Sequence, residues 1–220
     1  MKLCYNIPCV KKEGRRVRIA AIFPGTVVPR AGKSAAEFFN TVFFATKGIM
    51  LFQLSELTGL DGNTIQNWVV RGWVQAPVGK RYSADQLARV MLINMLKGVT
   101  RLETIGNILT YINGELESRE DDLVGESQLY IYICDILDKI GFDDILDPLA
   151  MGRLVEEEIS AYREPVPGGG EKLRNTIKLV LTYYAAALMK QRADQYAAAL
   201  GLGPAAGENG KSKRGGAQGT

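Results

Sequence analysis

The sequence predicts a mainly α-helical protein, with a winged helix-turn-helix near its middle, a helical C-terminal half and a short extended N-terminal segment. Two observations support this fold class. Apolar residues recur three and four positions apart in most segments after residue 34, which is the period of amphipathic helices. Two short helical stretches meet at Gly59, and a basic segment containing Pro77 and Gly79 follows the second stretch as a wing would. Such a unit is suited to place one helix in the major groove of DNA.

The composition is that of a soluble globular protein, because 46% of the 220 residues are hydrophobic and 23% are charged. No apolar run reaches the roughly 20 residues that a membrane-spanning helix needs, and no secretory signal follows the basic N-terminus. The chain has three cysteines, in no metal-ligand spacing, and no histidine. We therefore expect a cytoplasmic protein with reduced thiols, no metal site, no cofactor and no membrane partner.

The net charge of +3 hides a strong segregation of charge along the chain. Residues 1–48 hold nine basic and two acidic residues, whereas residues 115–160 hold three basic and fourteen acidic ones. A basic N-terminal half favours a polyanionic partner such as DNA. The acidic block is expected to face away from that partner.

Changes in composition and pattern divide the sequence into four parts. Residues 1–47 form a basic N-terminal segment, with a possible hairpin and then a short helix that a capping box at Ser34 would open. Residues 48–114 are the predicted winged helix-turn-helix domain. Residues 115–202 are an acidic linker and a helical C-terminal domain, and residues 203–220 are predicted to be a disordered tail.

The helix-turn-helix is indicated by local signals for where each helix begins and ends. Residues 51–58 are predicted to form the first helix, Gly59 the turn and Asp61 the N-cap of the second helix. Three apolar side chains of the second helix share one face and should pack inward. They are Ile65, Trp68 and Val69.

The outward faces of the second helix and the wing carry the candidate DNA-binding residues. Asn63, Gln66 and Asn67 are predicted to read bases, because amide side chains can bond the edge of adenine at two points. Basic residues at the end of the helix and on the wing are predicted to bind phosphates. They are Arg71, Lys80 and Arg81. The alternative for both sets is that these side chains are simply exposed to water and bind nothing.

The remaining helices are predicted from caps and apolar stripes. Capping boxes at Ser83 and Thr100 would open helices to about residues 97 and 112, and helices are also expected over 127–140, 151–162 and 171–200. The last of these has the longest stripe. Its members are Leu173, Ile177, Val180, Leu181, Tyr184 and Leu188.

A motif runs from the first helix of the central domain into the helix after the wing. It consists of Leu-Ser-Glu-Leu-Thr-Gly-Leu at residues 54–60, then Thr64-Ile65, Gly72, Arg81-Tyr82-Ser83 and Gln86-Leu87. This pattern resembles the DNA-binding domain of MerR-type transcriptional regulators. The resemblance implies that the second helix lies in the major groove and that the basic wing holds the phosphate backbone, and it adds Thr64 and Tyr82 to the candidate residues. Gln66 and Asn67 stand where the family usually has Arg and Tyr, so a different operator preference is expected.

A more specific set of short motifs covers about residues 48–137. It comprises Ile65-Gln66-Asn67-Trp68, Arg71-Gly72-Trp73-Val74, Ile93-Asn94-Met95-Leu96, Tyr111-Ile112-Asn113-Gly114, Asp121-Asp122 and Leu129-Tyr130. The combination resembles an uncharacterised Firmicutes family known as domain of unknown function number eighteen thirty-six. The function that this resemblance implies is transcription regulation.

Together these patterns predict a sequence-specific, DNA-binding transcriptional regulator and not an enzyme, since no catalytic constellation and no histidine base are present. A homodimer held by the C-terminal half is expected, because one recognition helix reads few base pairs. The rival use of the stripe in residues 171–200 is packing within one monomer. Two other functions stay open: a winged-helix protein-protein adaptor, and an architectural accessory factor in recombination or DNA packaging. An unknown effector or protein partner at the C-terminal half is also left open.

Overall fold

The computed structural model describes residues 21–114, 122–141 and 144–202. Eight α-helices run through these residues. They are α1 (Ala35–Phe43), α2 (Leu51–Thr58), α3 (Gly62–Val70), α4 (Ala84–Leu96), α5 (Leu102–Asn113), α6 (Glu126–Lys139), α7 (Pro148–Glu158) and α8 (Gly169–Ala199). The described residues contain no β-strand. Their extended segments pair only at three isolated antiparallel bridges. The predicted mainly α class is therefore confirmed.

Side-chain caps determine where several helices begin. Ser34 and Ser83 each accept a hydrogen bond from the N–H three residues on, and the side chains of Glu37 and Gln86 accept from the N–H of the capping serine. Both predicted capping boxes are confirmed. The box predicted at Thr100 is wrong, because α5 begins one residue too late for Thr100 to cap it and its N-cap makes no side-chain hydrogen bond.

Helix α4 lies at the centre of the fold. Its residues from Gln86 to Ile93 are all buried, as are Met95 and Leu96, which is the pattern of a helix that is covered on all sides. It packs most extensively against α6 and also contacts α2 and α5. Helix α6 in turn packs against α1 and α7. Helices α6 and α7, which lie within the acidic block, therefore share one core with the helices before it.

The segment before α1 joins the same core. The N–H of Phe23 donates to the Val28 carbonyl over 3.0 Å, which closes a turn. Tyr130 of α6 is fully buried, and its hydroxyl donates to the Pro24 carbonyl over 2.7 Å. The hairpin predicted for the first part of the chain falls almost wholly on residues 1–20, which lie outside the described residues.

The chain divides into two compact units, residues 1–187 and residues 188–220. The boundaries predicted after residues 47 and 114 both fall inside the first unit. The described part of the second unit consists of the end of α8 and a turn at Gly201, where φ is 72°. Within it, Lys190 pairs with Asp194 one helical turn away over 2.7 Å. The predicted disordered tail, residues 203–220, lies outside the described residues.

The apolar stripe of α8 faces the interior of the first unit. Its members Leu173, Ile177, Val180, Leu181 and Tyr184 are all buried there. A single chain already covers these side chains, so the expectation that this stripe forms the dimer contact is wrong. The alternative, in which the stripe packs within one monomer, is correct for this face of α8.

Two further properties concern the helices and the polar side chains of the described ranges. None of the helices found there combines the length and the apolar character that crossing a bilayer requires. In the same ranges, no group of three or more Cys, Asp or Glu side chains is placed to hold a metal ion.

Candidate nucleic-acid interface

Helices α2 and α3 are joined by a tight turn at Gly59. Gly59 has φ 69°, in the left-handed region that favours glycine, and its N–H donates to the Ser55 carbonyl over 2.8 Å. Asp61 then caps α3, because its carboxylate accepts from the N–H of Asn63 over 2.9 Å. The predicted first helix, turn and cap are thus confirmed. The inner faces of the two helices are anchored in the core by Leu54 on α2 and Ile65 on α3, which are both fully buried.

The solvent face of α3 carries the predicted base-reading residues. Asn63, Gln66 and Asn67 are all exposed, and Val70, at 85% exposed, continues the same face at the end of the helix. These four positions are spaced three and four residues apart, so they lie in one row along the helix. Thr64 is half-buried beside this row. The structure therefore brings the three amides together on one face and leaves Thr64 at its edge.

Residues 78–81 form a two-residue hairpin turn between α3 and α4. The N–H of Val78 donates to the Arg81 carbonyl over 3.1 Å, and the N–H of Arg81 donates back to the Val78 carbonyl over 3.0 Å. Gly79 and Lys80 between them have φ 57° and 63°, which is the geometry of a type I′ turn. Lys80 is exposed at the tip of this turn.

The base of the turn is tied to the chain just before α2. The Arg81 guanidinium donates to the Gly48 carbonyl over 2.9 Å. Tyr82 and Ile49 exchange two backbone hydrogen bonds of 2.7 and 2.9 Å. A Cβ on Gly48 would lie only 2.9 Å from both the Arg81 Cβ and the Tyr82 carbonyl oxygen, so the absence of a side chain there permits this close approach.

Tyr82 is placed differently from the other candidate residues. Its side chain is 3% exposed, and burial raises its pKa above the ordinary value. A side chain this deeply buried leaves almost no surface for a phosphate or a base. Its inclusion among the DNA-contacting side chains is therefore corrected to a supporting position in the core.

Arg71 and the two tryptophans surround the end of α3. Arg71 follows α3 directly, is exposed, and holds its guanidinium 5.3 Å from the centroid of the Trp73 ring. Trp68 is buried, as its helical spacing predicted, while Trp73 is half-buried. Lys97, which directly follows α4, lies with its ammonium 5.9 Å from the centroid of the Trp68 ring, and burial lowers its pKa.

Polar side chains of α4 fix the loop that leads from α3 to the hairpin turn. The Gln86 amide donates to the carbonyls of Gln75 and Ala76 over 2.8 and 3.0 Å. The Arg89 guanidinium donates to the Trp73 carbonyl over 2.6 Å and to the Glu126 carboxylate over 2.8 Å. The sequence reading missed both roles. The available signal was that Gln86 and Arg89 are polar residues on a helix that is mostly apolar.

Lys47 is a third residue whose position the sequence did not predict. It is exposed and directly precedes Gly48, whose carbonyl accepts the Arg81 guanidinium. A positive charge therefore stands beside the base of the hairpin turn, contributed by the segment that separates α1 from α2. Its place next to Gly48 was visible in the sequence, but the hydrogen bond that brings Gly48 to the hairpin turn was not.

Comparison with known proteins finds a relative and a family model that match part of the chain. The uncharacterized protein YkrK of Bacillus subtilis (strain 168) is 31% identical over 100 residues, and the match covers 44% of this chain and 43% of that protein. The chain thus spans less than half the length of this relative. No solved structure matches the chain. Residues 41–133, which contain α2 to α5 and the hairpin turn, match the family model described as a domain of unknown function, DUF1836.

Proposed function

We propose that α2, α3 and the hairpin turn at residues 78–81 form a MerR-like winged helix-turn-helix, and that the protein is a transcriptional regulator that binds specific sequences in double-stranded DNA. In this proposal α3 is the recognition helix in the major groove, and the hairpin turn is the wing. Base reading falls to Asn63, Gln66 and Asn67. Phosphate binding falls to Arg71, Lys80 and Arg81, joined by Lys47.

The observation that carries the proposal is the exposed row of three amides on a short, side-chain-capped helix. Amides at i, i+3 and i+4 project from one face and can meet successive base edges. The basic residues lie outside this row, at the end of α3 and around the hairpin turn, where they suit the sequence-independent phosphate backbone. The wing is held by the Arg81–Gly48 and Tyr82–Ile49 hydrogen bonds, so little ordering of the loop is required on binding.

A homodimer remains part of the proposal, with its contact moved to the second unit. The stripe of α8 from Leu173 to Tyr184 is covered within one chain, whereas the second unit exposes several large apolar side chains. These are Met189, Tyr196, Leu200 and Leu202. Met189 and Tyr196 lie on α8, and Leu200 and Leu202 lie just beyond its end. Exposed apolar residues of this kind are suited to meet the same segment of a second copy.

The test is a gel-shift series on duplexes selected from a randomised pool. We expect Gln66→Ala to lower affinity for the selected site by about 1–3 kcal/mol and to relax the preference for it. Asn40→Ala, an exposed amide on α1, is the matched control and should leave both unchanged. If the variant and the wild type bind the selected site equally and with equal preference, α3 is not the recognition helix. A protein that shifts no duplex at low salt would instead favour the adaptor function.

A further inference from the structure

We infer that α3 reads A·T base pairs, so that the half-site recognised by this protein is rich in A·T. The inference rests on the proposed DNA-binding function and adds the class of sequence that the recognition helix selects. It begins from a simple property of α3, whose nine residues, Gly62–Val70, include no charged side chain. The solvent face of the helix offers three amides and one valine.

The amides fit adenine better than any other base. Adenine presents an acceptor at N7 and a donor at N6 in the major groove, and the carbonyl and NH₂ of an Asn or Gln side chain complement both at once. Guanine presents two acceptors, which Arg or Lys satisfies, and cytosine presents a donor, which Asp or Glu satisfies. Helix α3 supplies none of these four residue types. Its polar chemistry therefore favours adenine.

Val70 provides the matching contact for thymine. It is 85% exposed, although α3 already has an inward apolar face at Ile65 and Trp68. The methyl group of thymine is the one apolar feature of a base edge in the major groove, and an exposed isopropyl group can cover it. The rise from Asn63 to Val70 is about 10 Å, which corresponds to about three base pairs. One row of side chains can thus read adenine and thymine within a single half-site.

The positive charges near α3 are compatible with a preference for A·T base pairs. Arg71 directly follows α3, and its guanidinium is held over the Trp73 ring, 5.3 Å from the centroid. Lys80 lies at the tip of the hairpin turn. The charges that could select guanine are therefore placed beside the neutral row, where phosphates are the natural partners.

The experiment removes single groups from the bases. The full-length protein is used to select duplexes from a randomised pool, and the selected site is resynthesised with 7-deazaadenine, which lacks N7, or with deoxyuridine, which lacks the thymine methyl. We expect an A·T-rich half-site, a loss of about tenfold on 7-deazaadenine substitution at a contacted position, and a loss of about fourfold on deoxyuridine substitution. Substitution of any guanine by 7-deazaguanine should have no effect.

Matched variants assign each loss to one side chain. Gln66→Ala or Asn67→Ala should be insensitive to 7-deazaadenine at the position that it reads, and Val70→Ala should be insensitive to deoxyuridine. Val78→Ala is the control for Val70→Ala, because Val78 is also 85% exposed but lies on the hairpin turn, and it should keep the full deoxyuridine loss. All four side chains are exposed, so the fold is not at risk.

Two outcomes would overturn the inference while leaving the proposed function intact. One is selection of a G·C-rich half-site, and the other is wild-type affinity that neither base substitution changes. In both cases the protein still shifts duplex DNA. If no duplex is shifted at all, the proposed DNA binding fails and the A·T preference fails with it.

Discussion

Lys80 combines a strained backbone with an exposed charge. Its φ of 63° lies in the left-handed region, which costs a residue with a side chain about 1–2 kcal/mol relative to glycine. Lys80→Gly should therefore leave the folded protein equally or more stable, while removing the phosphate contact proposed for the wing. We expect the midpoint of urea unfolding to stay the same or to rise. We also expect weaker binding to all DNA sequences, and a slope of log K against log salt concentration that is shallower by about one unit.

Ala31→Gly is the matched control for this variant. Ala31 also has a positive φ, 47°, and is exposed, but it carries no charge and lies in the turn before α1. It should gain stability in the same way and keep wild-type DNA binding with the same salt slope. An unaltered salt slope in Lys80→Gly would contradict the role of the hairpin turn as a wing.

Asp135 on α6 is predicted to make stability depend on pH. Burial, together with the carboxylates of Glu158 and Asp138, raises its pKa from 3.8 to about 6, against the opposing effects of Lys139 and Arg30. The folded state thus holds this proton more tightly than the unfolded state. Its contribution to stability is present below about pH 4 and is lost as the pH rises through 6.

Asp135→Asn removes this dependence. We expect the free energy of unfolding to rise by about 1 kcal/mol at pH 8, allowing for solvent screening at a half-buried site, and to change little at pH 4. Urea unfolding at the two pH values measures both. A gain of the same size at both values would mean that the charge of Asp135 is not the cause.

At the residue scale, the sequence predicted what is local and missed what is paired at a distance. The caps at Ser34, Asp61 and Ser83 were visible because a cap and its partner lie within three residues. Tyr82 is buried, and its backbone pairs with Ile49, which lies in the segment before α2. No local pattern encodes that pairing, so Tyr82 looked like a surface residue.

At the element scale, periodicity showed which face of each helix is apolar but not what that face meets. The stripe of α8 was predicted correctly as a stripe, and the structure buries it within its own chain. Helix α4 shows the opposite problem. It is buried on all sides, so the polar residues Gln86 and Arg89 had no place in an amphipathic pattern. Their hydrogen bonds to the loop before the hairpin turn required the tertiary structure.

The ion pair between Arg89 and Glu126 should be a strong link between α4 and α6. Their side chains are 7% and 11% exposed, and the N···O distance is 2.8 Å. Removing one partner leaves a buried charge without compensation, which typically costs about 3–5 kcal/mol. We therefore expect Glu126→Ala to lower the free energy of unfolding by about this amount in urea titrations followed by circular dichroism.

The surface provides a control for this prediction. Lys139 and Glu157 are 41% and 66% exposed and lie 3.5 Å apart. Exposed pairs of this kind contribute about 0–1 kcal/mol, so Glu157→Ala should cost little. Equal losses in the two variants would show that the α4–α6 ion pair contributes no more than a surface contact.

At the scale of the whole molecule, the segments that composition separates are joined by long-range contacts. The Arg30 guanidinium pairs with Asp138, and the Tyr130 hydroxyl with the Pro24 carbonyl, in both cases across more than half of the described chain. These contacts connect the N-terminal segment to α6, which lies within the acidic block. Composition and charge change along the sequence at residues 48 and 115, but helices from before and after each of these positions pack together in the first unit.

The second unit offers the test of the proposed homodimer. The first unit ends at Ala187, so a chain that stops there keeps the buried part of α8, including Tyr184 and Ala185. If residues 188–202 join two copies, light scattering should show the full-length protein as a dimer and the chain ending at Ala187 as a monomer. The shorter chain should bind a single half-site as before, but a two-half-site duplex about a hundredfold more weakly, because linked binding is lost.

A chain that ends at Leu202 separates this contact from the tail, and it should remain a dimer with full affinity for the two-half-site duplex. Circular dichroism and thermal unfolding of all three chains check that the first unit stays folded. The homodimer would be rejected if the full-length protein were a monomer at tens of micromolar, both alone and with the two-half-site duplex. If the chain ending at Ala187 were still a dimer, the contact would instead lie within the first unit, and the exposed apolar residues of the second unit would have another use.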